Sequence, residues 1–430
     1  MAKNSKKNIG NTVLLYVLCA LVVVGIAAII FTNFLGRNDM FADKYFMNVI
    51  STLLDKKPAN ITEEDLASIK YLALNYPAQD ESGNQILTAQ IGYDDAINAL
   101  KDPEVESKTQ IIALGNYMTD FSDIKYFTGL QALIVEGTEI ENIEFAKECT
   151  NLEYLSVGSE KLTDISALSA MTKLVEAGLS GAALTDVSVL ANCKELTGLF
   201  IDRNEITDLS ALSSLTKLEN IDISGNKELS DISFISNMTA MKTLAFDDTK
   251  ISNISPLANL TNLEQISFAN CSVEDISALE KCTKVTTLVA STNKITDISS
   301  IAGMKDMENL DLGTNNISDI SALSAMTKLY ICNLNDNDIK DVSALKDAKD
   351  IYSLNLLGNG VIKDTSPIKT LIDASKEESP KCYVWMDTED DEKSEESTEE
   401  DKDTSEETGT EKEDITEVET TETTEENTEE

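Results

Sequence analysis

Apolar residues recur at one spacing along most of this chain. Eleven copies of the pattern L-x-x-L-x-L-x-x-N-x-L follow one another every 22 residues, with one extra residue between Leu218 and Met241. The leading positions are Leu130, Leu152, Leu174, Leu196, Leu218, Met241, Leu263, Val285, Met307, Leu329 and Ile351. Alternation within L-x-L predicts a short strand whose alternate side chains point inward. The repeat therefore predicts a stacked coil rather than separate globular domains.

Each copy continues as Asp-Ile-Ser-x-Leu-x-x-Leu, and residues 208–215 are one example. The Asp and Ser are expected to cap a short helical turn on the outer side, and the pattern's Asn to bond neighbouring backbone groups. One repeat cannot bury its own apolar face, so stacking is compulsory. The sequence predicts an α/β leucine-rich-repeat solenoid, with parallel β-strands on the concave face and short helical turns on the convex face.

The column of Asn residues is incomplete, which predicts less regular turns in the N-terminal copies. Asn204, Asn226, Asn293, Asn315, Asn337 and Asn359 occupy it. Thr138, Thr249 and Cys271 stand in for Asn, whereas Glu160 and Ala182 do not fit.

The 22-residue unit resembles the internalin-type leucine-rich repeat of bacterial surface proteins, over about residues 60–387. Residues 60–69 resemble the helical cap that introduces such arrays, which implies a juxtamembrane segment and cap over 36–68. The resemblance then implies an array over 69–362 and a C-terminal cap over 363–387 containing Trp385. Residues 69–74 are expected to form a first strand. Residues 75–107 interrupt the register, and residues 109–114 are expected to resume it.

An uncharged apolar stretch near the N-terminus, residues 13–31, is long enough to cross a bilayer. Lys3, Lys6 and Lys7 precede it without an acidic residue, which predicts a basic cytoplasmic stub (1–12), a membrane anchor (13–35) and extracellular repeats. The alternative is a cleaved signal peptide, with Gly25 and Ala27 as small residues near a cleavage site. Either interpretation places the repeats outside the cytoplasm, and the uncleaved anchor would hold them at the cell membrane.

Charge narrows the possible partners and chemistries. The net charge is −41, and the chain has no His. Such a polyanion should be repelled by nucleic acid, and the lack of His excludes His-dependent nucleophile systems and zinc peptidase motifs. Residues 388–430 contain 22 Asp or Glu and 14 Ser or Thr, which predicts a disordered acidic tail. The sequence predicts no enzyme and no cofactor.

Side chains that point outward from the predicted strands should line the binding face. The predicted ligand-binding residues are Tyr154, Phe200, Asp202, Arg203, Asp222, Asp311 and Asn333, with Glu176, Asp247 and Ile331 on the same face. Phe200 and Arg203 attract notice because aromatic and Arg residues are enriched at binding hot spots. Arg203 is the only Arg after Arg37, and it could instead merely relieve the acidic crowding beside Asp202.

Two further columns have structural interpretations. Cys149, Cys193, Cys282 and Cys332 fall in core positions, where cysteine packs as a small apolar residue. The Asp column could suggest calcium, but one carboxylate per repeat does not converge on one ion, so capping is favoured. Its members are Asp164, Asp186, Asp208, Asp231, Asp275, Asp297, Asp319, Asp341 and Asp364.

These observations predict a membrane-anchored extracellular protein that binds a protein or glycan ligand through its concave face. Two other functions stay open. One is a non-catalytic regulatory scaffold, because phosphatase regulators also resemble the 22-residue pattern. The other is an architectural component of the cell envelope.

Overall fold

The computed structural model describes residues 40–79, 85–102, 109–114, 118–136, 139–376 and 381–388. The predicted membrane segment and nearly all of the predicted acidic tail lie outside these residues. None of the described helices is long and apolar enough to cross a membrane.

Fifteen strands form one open sheet in the order β15 to β4 followed by β1, β2 and β3. The strands are β1 (Tyr71–Gln79), β2 (Gln85–Gly92), β3 (Gln110–Leu114), β4 (Ala132–Val135), β5 (Tyr154–Val157), β6 (Glu176–Gly178), β7 (Gly198–Phe200), β8 (Asn220–Asp222), β9 (Thr243–Ala245), β10 (Gln265–Ser267), β11 (Thr287–Val289), β12 (Asn309–Asp311), β13 (Ile331–Asn333), β14 (Ser353–Asn355) and β15 (Tyr383–Trp385). Strands β4 to β15 are parallel, and each pairs with the strand of the next repeat. The predicted leucine-rich-repeat solenoid is confirmed.

The one-repeat register aligns the apolar columns inside the coil. Leu199 of β7 lies opposite Ile221 of β8, and Ile221 lies opposite Leu244 of β9. All three side chains are at most 1% exposed. Because every repeat places its leucines at the same depth, one continuous core extends through the array.

Short 3₁₀ turns line the outer side, as the Asp-Ile-Ser motif predicts. They are Pro58–Asn60 in the cap, and then Ser122–Tyr126, Glu144–Ala146, Ser166–Ala170, Ser188–Asn192, Ser210–Ser214, Ser233–Ile235, Ser255–Asn259, Ser277–Lys281, Ser299–Gly303, Ser321–Ala325, Ser343–Leu345 and Ser366–Ile368. In the repeat at 208, the Ser210 N–H donates to Asp208 Oδ1 at 2.8 Å, and this bond lowers the pKa of the Asp208 carboxyl. All nine Asp residues of the predicted column accept the same bond, so their capping role is confirmed.

The Asn column bonds the backbone of successive repeats. Asn204 Nδ2 donates to the carbonyls of Leu179 and Ile201 at 2.9 and 3.0 Å, and its Oδ1 accepts from Leu184 N–H at 3.0 Å. A buried amide with each end satisfied locks the turn without leaving an orphan polar group. In the repeat that begins at Leu152, Ser159 takes this role by donating to Ile140 O at 2.8 Å.

Helices close the N-terminal end of the core. Helix α1 (Lys44–Leu53) buries Phe46, and helix α2 (Glu63–Ser68) begins with a capping box between Thr62 and Asp65. Asp123, in the first outer turn, accepts the N–H groups of Ala42 and Asp43 at 3.1 and 3.0 Å. The cap and the first repeat are therefore hydrogen-bonded to each other.

The structure corrects the expected register at residues 69–114. β1 runs past residue 74 to Gln79, and residues 109–114 do not resume the repeat register, because β3 pairs antiparallel with β2. β2 in turn pairs antiparallel with β1, while β4 pairs parallel with the other side of β1. The insertion thus extends the sheet beyond its first repeat strand, and helix α3 (Asp94–Lys101) connects β2 to β3.

The C-terminal end is closed by helix α4 (Lys369–Ser375) and β15. Trp385 lies on β15, where the sequence predicts a cap strand. Cys149, Cys193, Cys282 and Cys332 are buried, which confirms their prediction as core residues. Cys271 and Cys382 are buried as well. Burial raises the pKa of the Cys332 thiol to about 12.

Candidate functional site

The outward-facing positions of each strand form the concave face. In the repeat at 196, Leu199 and Ile201 point into the core, so Gly198, Phe200 and Asp202 alternate to the other side. The parallel register extends these positions into three columns along β4 to β15.

Carboxylates predominate among the charged groups of these columns. Glu136, Glu176, Asp202, Asp222, Asp247, Asp311 and Asp387 occupy them, and no Lys or Arg does. Arg203 comes one position after its column residue. Side chains of one sign on a continuous concave surface add their fields, so the face attracts cations.

Asp202 and Arg203 meet as the sequence predicts, but as a pair at the rim. Arg203 Nη2 lies 3.0 Å from Asp202 Oδ2, and the Arg203 side chain is 71% exposed. Arg203 has a φ of +53°, and its N–H donates to Ser224 O at 2.7 Å. Asp202 also accepts the hydroxyl of Ser180. The Arg203 guanidinium is therefore partly neutralised by the Asp202 carboxylate.

Tyr154 and Phe200 lie on either side of Glu176. Glu176 and Phe200 both lie close to Gly198, which has no Cβ. A Cβ at that position would be 3.0 Å from Glu176 Cγ and 3.5 Å from the Phe200 ring. Burial raises the pKa of Glu176 to about 7. Burial, with the nearby Glu176 charge second, raises the pKa of Tyr154 to about 12. The three side chains form a half-buried cluster near the N-terminal end of the face.

The remaining predicted residues lie further along the same columns. Asp222 is half-buried, accepts Ser224 N–H at 3.0 Å, and has a pKa raised by burial. Asp247 accepts the Ser267 hydroxyl at 2.6 Å and also has a pKa raised by burial. Asp311 and Asn333 contact each other, because Asn333 Nδ2 donates to Asp311 Oδ1 at 2.8 Å. The predicted residues therefore share one face but form separate clusters.

Helix α3 covers the N-terminal end of the concave face. Its residues Ala96, Ile97 and Leu100 pack on the outward side chains of β1 and β4, which are Tyr71, Ala73, Ala132 and Ile134. Tyr154, a predicted binding residue, packs against the rim of this cluster. The insertion therefore covers part of the surface that was predicted from the sequence to bind a ligand.

An aromatic cluster at the other end was missed from the sequence. Six exposed apolar side chains, here called the C-terminal aromatic surface, lie on the last two repeats and β15: Tyr330, Ile331, Tyr352, Leu357, Tyr383 and Trp385. Only Ile331 was expected on the binding face. Tyr330 and Tyr352 are 22 residues apart, one position after the leading residue of their repeats, so an alignment of that column could have found them.

The described residues contain no group of three or more Cys, Asp or Glu that could hold a metal. A groove of about 700 Å³ runs between outer turns beside Ser252 and Ser277. Its charged lining residues include Glu274, Asp275 and Lys294, which lie on the flank rather than on the concave face. The arrangement of the concave face suits recognition of a macromolecule.

Comparisons with known proteins agree with this architecture. A family model described as leucine-rich repeats (2 copies) matches residues 194–237 and 283–325. No curated protein sequence matches the chain.

Among solved structures, an internalin (InlF) from Listeria monocytogenes is 28% identical with a TM-score of 0.56, over 78% of this chain and 81% of that one. The functional domain of InlJ from the same organism is 21% identical with a TM-score of 0.60, over 81% and 70%. That domain includes a cysteine ladder, whereas the cysteines that the structure describes here form no disulfide. The chain is an internalin-like leucine-rich-repeat protein.

Proposed function

We propose that this internalin-like chain is a non-catalytic, membrane-anchored cell-surface protein that binds a protein partner through its concave face. The observation that carries the proposal is the sheet itself, which presents seven carboxylates and no cation in its outward columns. A continuous, rigid and concave surface of one charge favours a partner with a basic patch, because complementary charge speeds association and excludes anionic competitors.

The anchor rests on the uncharged stretch at residues 13–31 and on the lysines before it. Protease treatment of intact cells tests this topology. We expect the repeats to be degraded while a small N-terminal fragment stays protected. Repeats that resist protease until the cells are lysed would instead support the cytosolic regulatory scaffold.

Binding through the concave face is tested by removing its charge. The full-length chain carrying Asp202→Asn, Asp222→Asn and Asp247→Asn should lose a captured partner that the parent retains. The matched control is Glu195→Gln, Glu228→Gln and Asp306→Asn, which removes three exposed carboxylates on the flank. Equal capture by both triple variants would contradict the concave site, and no specific capture by the parent would favour an architectural role.

A further inference from the structure

Exposed apolar surface is concentrated at one end of the molecule. Seven large apolar side chains of the described residues are at least 36% exposed, and six of them form the C-terminal aromatic surface. The strand register explains their proximity: Ile331 lies opposite Ser353, which lies opposite Tyr383, and Asn333 and Asn355 align with Trp385 in the same way. A contiguous apolar patch of this kind marks an interaction site.

The rings of this surface support one another. Tyr330 stacks on Tyr352 with ring centroids 5.2 Å apart, Tyr352 meets Tyr383 edge-on at 5.5 Å, and Tyr383 stacks on Trp385 at 5.8 Å. Rings held by their neighbours lose little conformational entropy when a partner binds. The four aromatic residues therefore form a preorganised anchor.

At the N-terminal end of the concave face, a segment of the chain itself covers a similar apolar patch. There, helix α3 supplies the apolar residues Ala96, Ile97 and Leu100, and Lys101 Nζ lies 2.8 Å from Glu153 Oε2 beside Tyr154. The chain's own cover thus combines an apolar stripe with a cation that pairs with a carboxylate at the edge of the sheet.

Two carboxylates, those of Asp336 and Asp387, lie at the edge of the C-terminal aromatic surface. Asp387 Oδ1 accepts Gly358 N–H at 3.1 Å, while its buried Oδ2 has no hydrogen-bond partner among the described residues. The Asp336 side chain packs against Gly358 from the previous repeat. Neither carboxylate forms an ion pair with any Lys or Arg that the structure describes. Asp336 and Asp387 therefore place negative charge without an ion-pair partner at this edge, and a cationic donor forms its strongest hydrogen bonds with a carboxylate.

The charge of the chain's own C-terminal segment disfavours its binding to the C-terminal aromatic surface. It begins directly after this surface, and residues 388–430 contain 22 Asp or Glu against 3 Lys. Its bulky apolar residues are Ile415 and Val418. An acidic segment placed over Asp336 and Asp387 would add like charges, which repel.

We propose that the C-terminal aromatic surface binds a basic amphipathic polypeptide segment, whose apolar residues pack on Tyr352 and Trp385 while an Arg or Lys pairs with Asp387. This inference rests on the proposed function and names the partner chemistry of that concave face. Aromatic anchors beside a charged residue have the composition of a binding hot spot.

The test is a library of displayed random peptides selected on the immobilised full-length chain. We expect enriched peptides to combine Arg or Lys with apolar residues. Trp385→Ala, Tyr352→Ala or Asp387→Asn should each weaken a selected peptide by about tenfold or more. Tyr93→Ala is the matched control, since Tyr93 is the one exposed aromatic residue outside this surface in the part of the chain that the structure describes.

A second measurement separates recognition from a folding defect. Asp387→Asn keeps the shape of the side chain, so its thermal unfolding should match that of the parent. Replacing the peptide's Arg by Gln should weaken binding to the parent but have little further effect on Asp387→Asn, as a double-mutant cycle requires for a direct pair.

Other outcomes overturn the inference. Peptides that are acidic, or that bind all three variants as well as the parent, contradict it. Binding of cellohexaose, a neutral oligosaccharide, at this surface when no peptide binds also contradicts the inference. Peptide binding that appears only after residues 389–430 are removed contradicts it too. Peptides sensitive to Asp222→Asn instead would overturn this site and leave the proposed function standing, whereas intact-cell protection of the repeats would overturn the function alone.

Discussion

The two ends of the concave face carry similar side chains in different surroundings. Tyr71 and Tyr76 at the N-terminal end are 5% and 7% exposed because α3 packs over them, whereas Tyr383 and Trp385 at the C-terminal end are 40% and 44% exposed. Both ends belong to one sheet, and α3 packs on the N-terminal end alone. An aromatic patch on this sheet is stable when covered, and the uncovered one is the better candidate for binding.

The largest expected effect comes from weakening the cover. Ile97→Ala should lower the free energy of unfolding by about 2–4 kcal/mol, because a buried aliphatic side chain is replaced by a cavity. Chemical denaturation and hydrogen exchange in β1 measure the change. Asn98→Ala, on the exposed side of the same helix, should stay within about 0.5 kcal/mol. If Ile97→Ala had no effect, α3 would not be a true cover.

A second variant tests how closely α3 approaches the sheet. A Cβ at Gly92 would lie 2.5 Å from Ala96 Cβ and 3.3 Å from Tyr71 Cβ, so Gly92→Ala should cost about 1–3 kcal/mol through overpacking. The same denaturation experiment measures it. In an Ala96→Gly background the cost should fall markedly, and an unchanged cost would show that the close contact is not the cause.

Glu176, next to the covered region, should make stability depend on pH. Its pKa is raised from 4.5 to about 7, so the folded state retains a proton that the unfolded chain has released, and stability falls as pH rises through this window. Glu176→Gln should therefore exceed the parent in stability at pH 8 by on the order of 2 kcal/mol, and match it at pH 4. Denaturation curves at both pH values measure this. Glu195→Gln, on the exposed flank, should show no such difference.

The smallest effect is expected at the exposed ion pair of the cover. The Lys101 side chain is 48% exposed, so Lys101→Ala should cost less than about 1 kcal/mol. Thermal unfolding at low and high salt checks this, with the difference between variant and parent shrinking at high salt. A loss of several kcal/mol would mean that the cation, rather than the apolar stripe, holds α3 in place.

Sequence reasoning succeeded where structure follows the repeat. Asn204, Asp208 and the leucine columns have the predicted contacts, because each repeat meets the same neighbours one turn away. It failed at residues 109–114, which read as a resumed repeat strand and instead pair with β2. It also missed Ser159, whose hydroxyl replaces an Asn amide one position from the expected place.

The candidate site was predicted in part. The columns containing Phe200, Asp222 and Asp311 follow from strand alternation, and these residues do line the concave face. The packing of Tyr154 against the α3 cluster does not follow from it, because no local pattern shows that residues 94–101 fold back over the sheet. The ring contacts from Tyr330 to Trp385 were missed because Trp385 comes from outside the repeat and joins through β15.

The amino-acid sequence by itself determined the coil, its core and the sign of its charge, since a 22-residue period sets which side chains point inward at every level. The tertiary structure decided which part of the concave face stays open. Whether a helix lies over a strand depends on contacts between residues far apart in the chain, and such contacts leave no periodic pattern in the sequence.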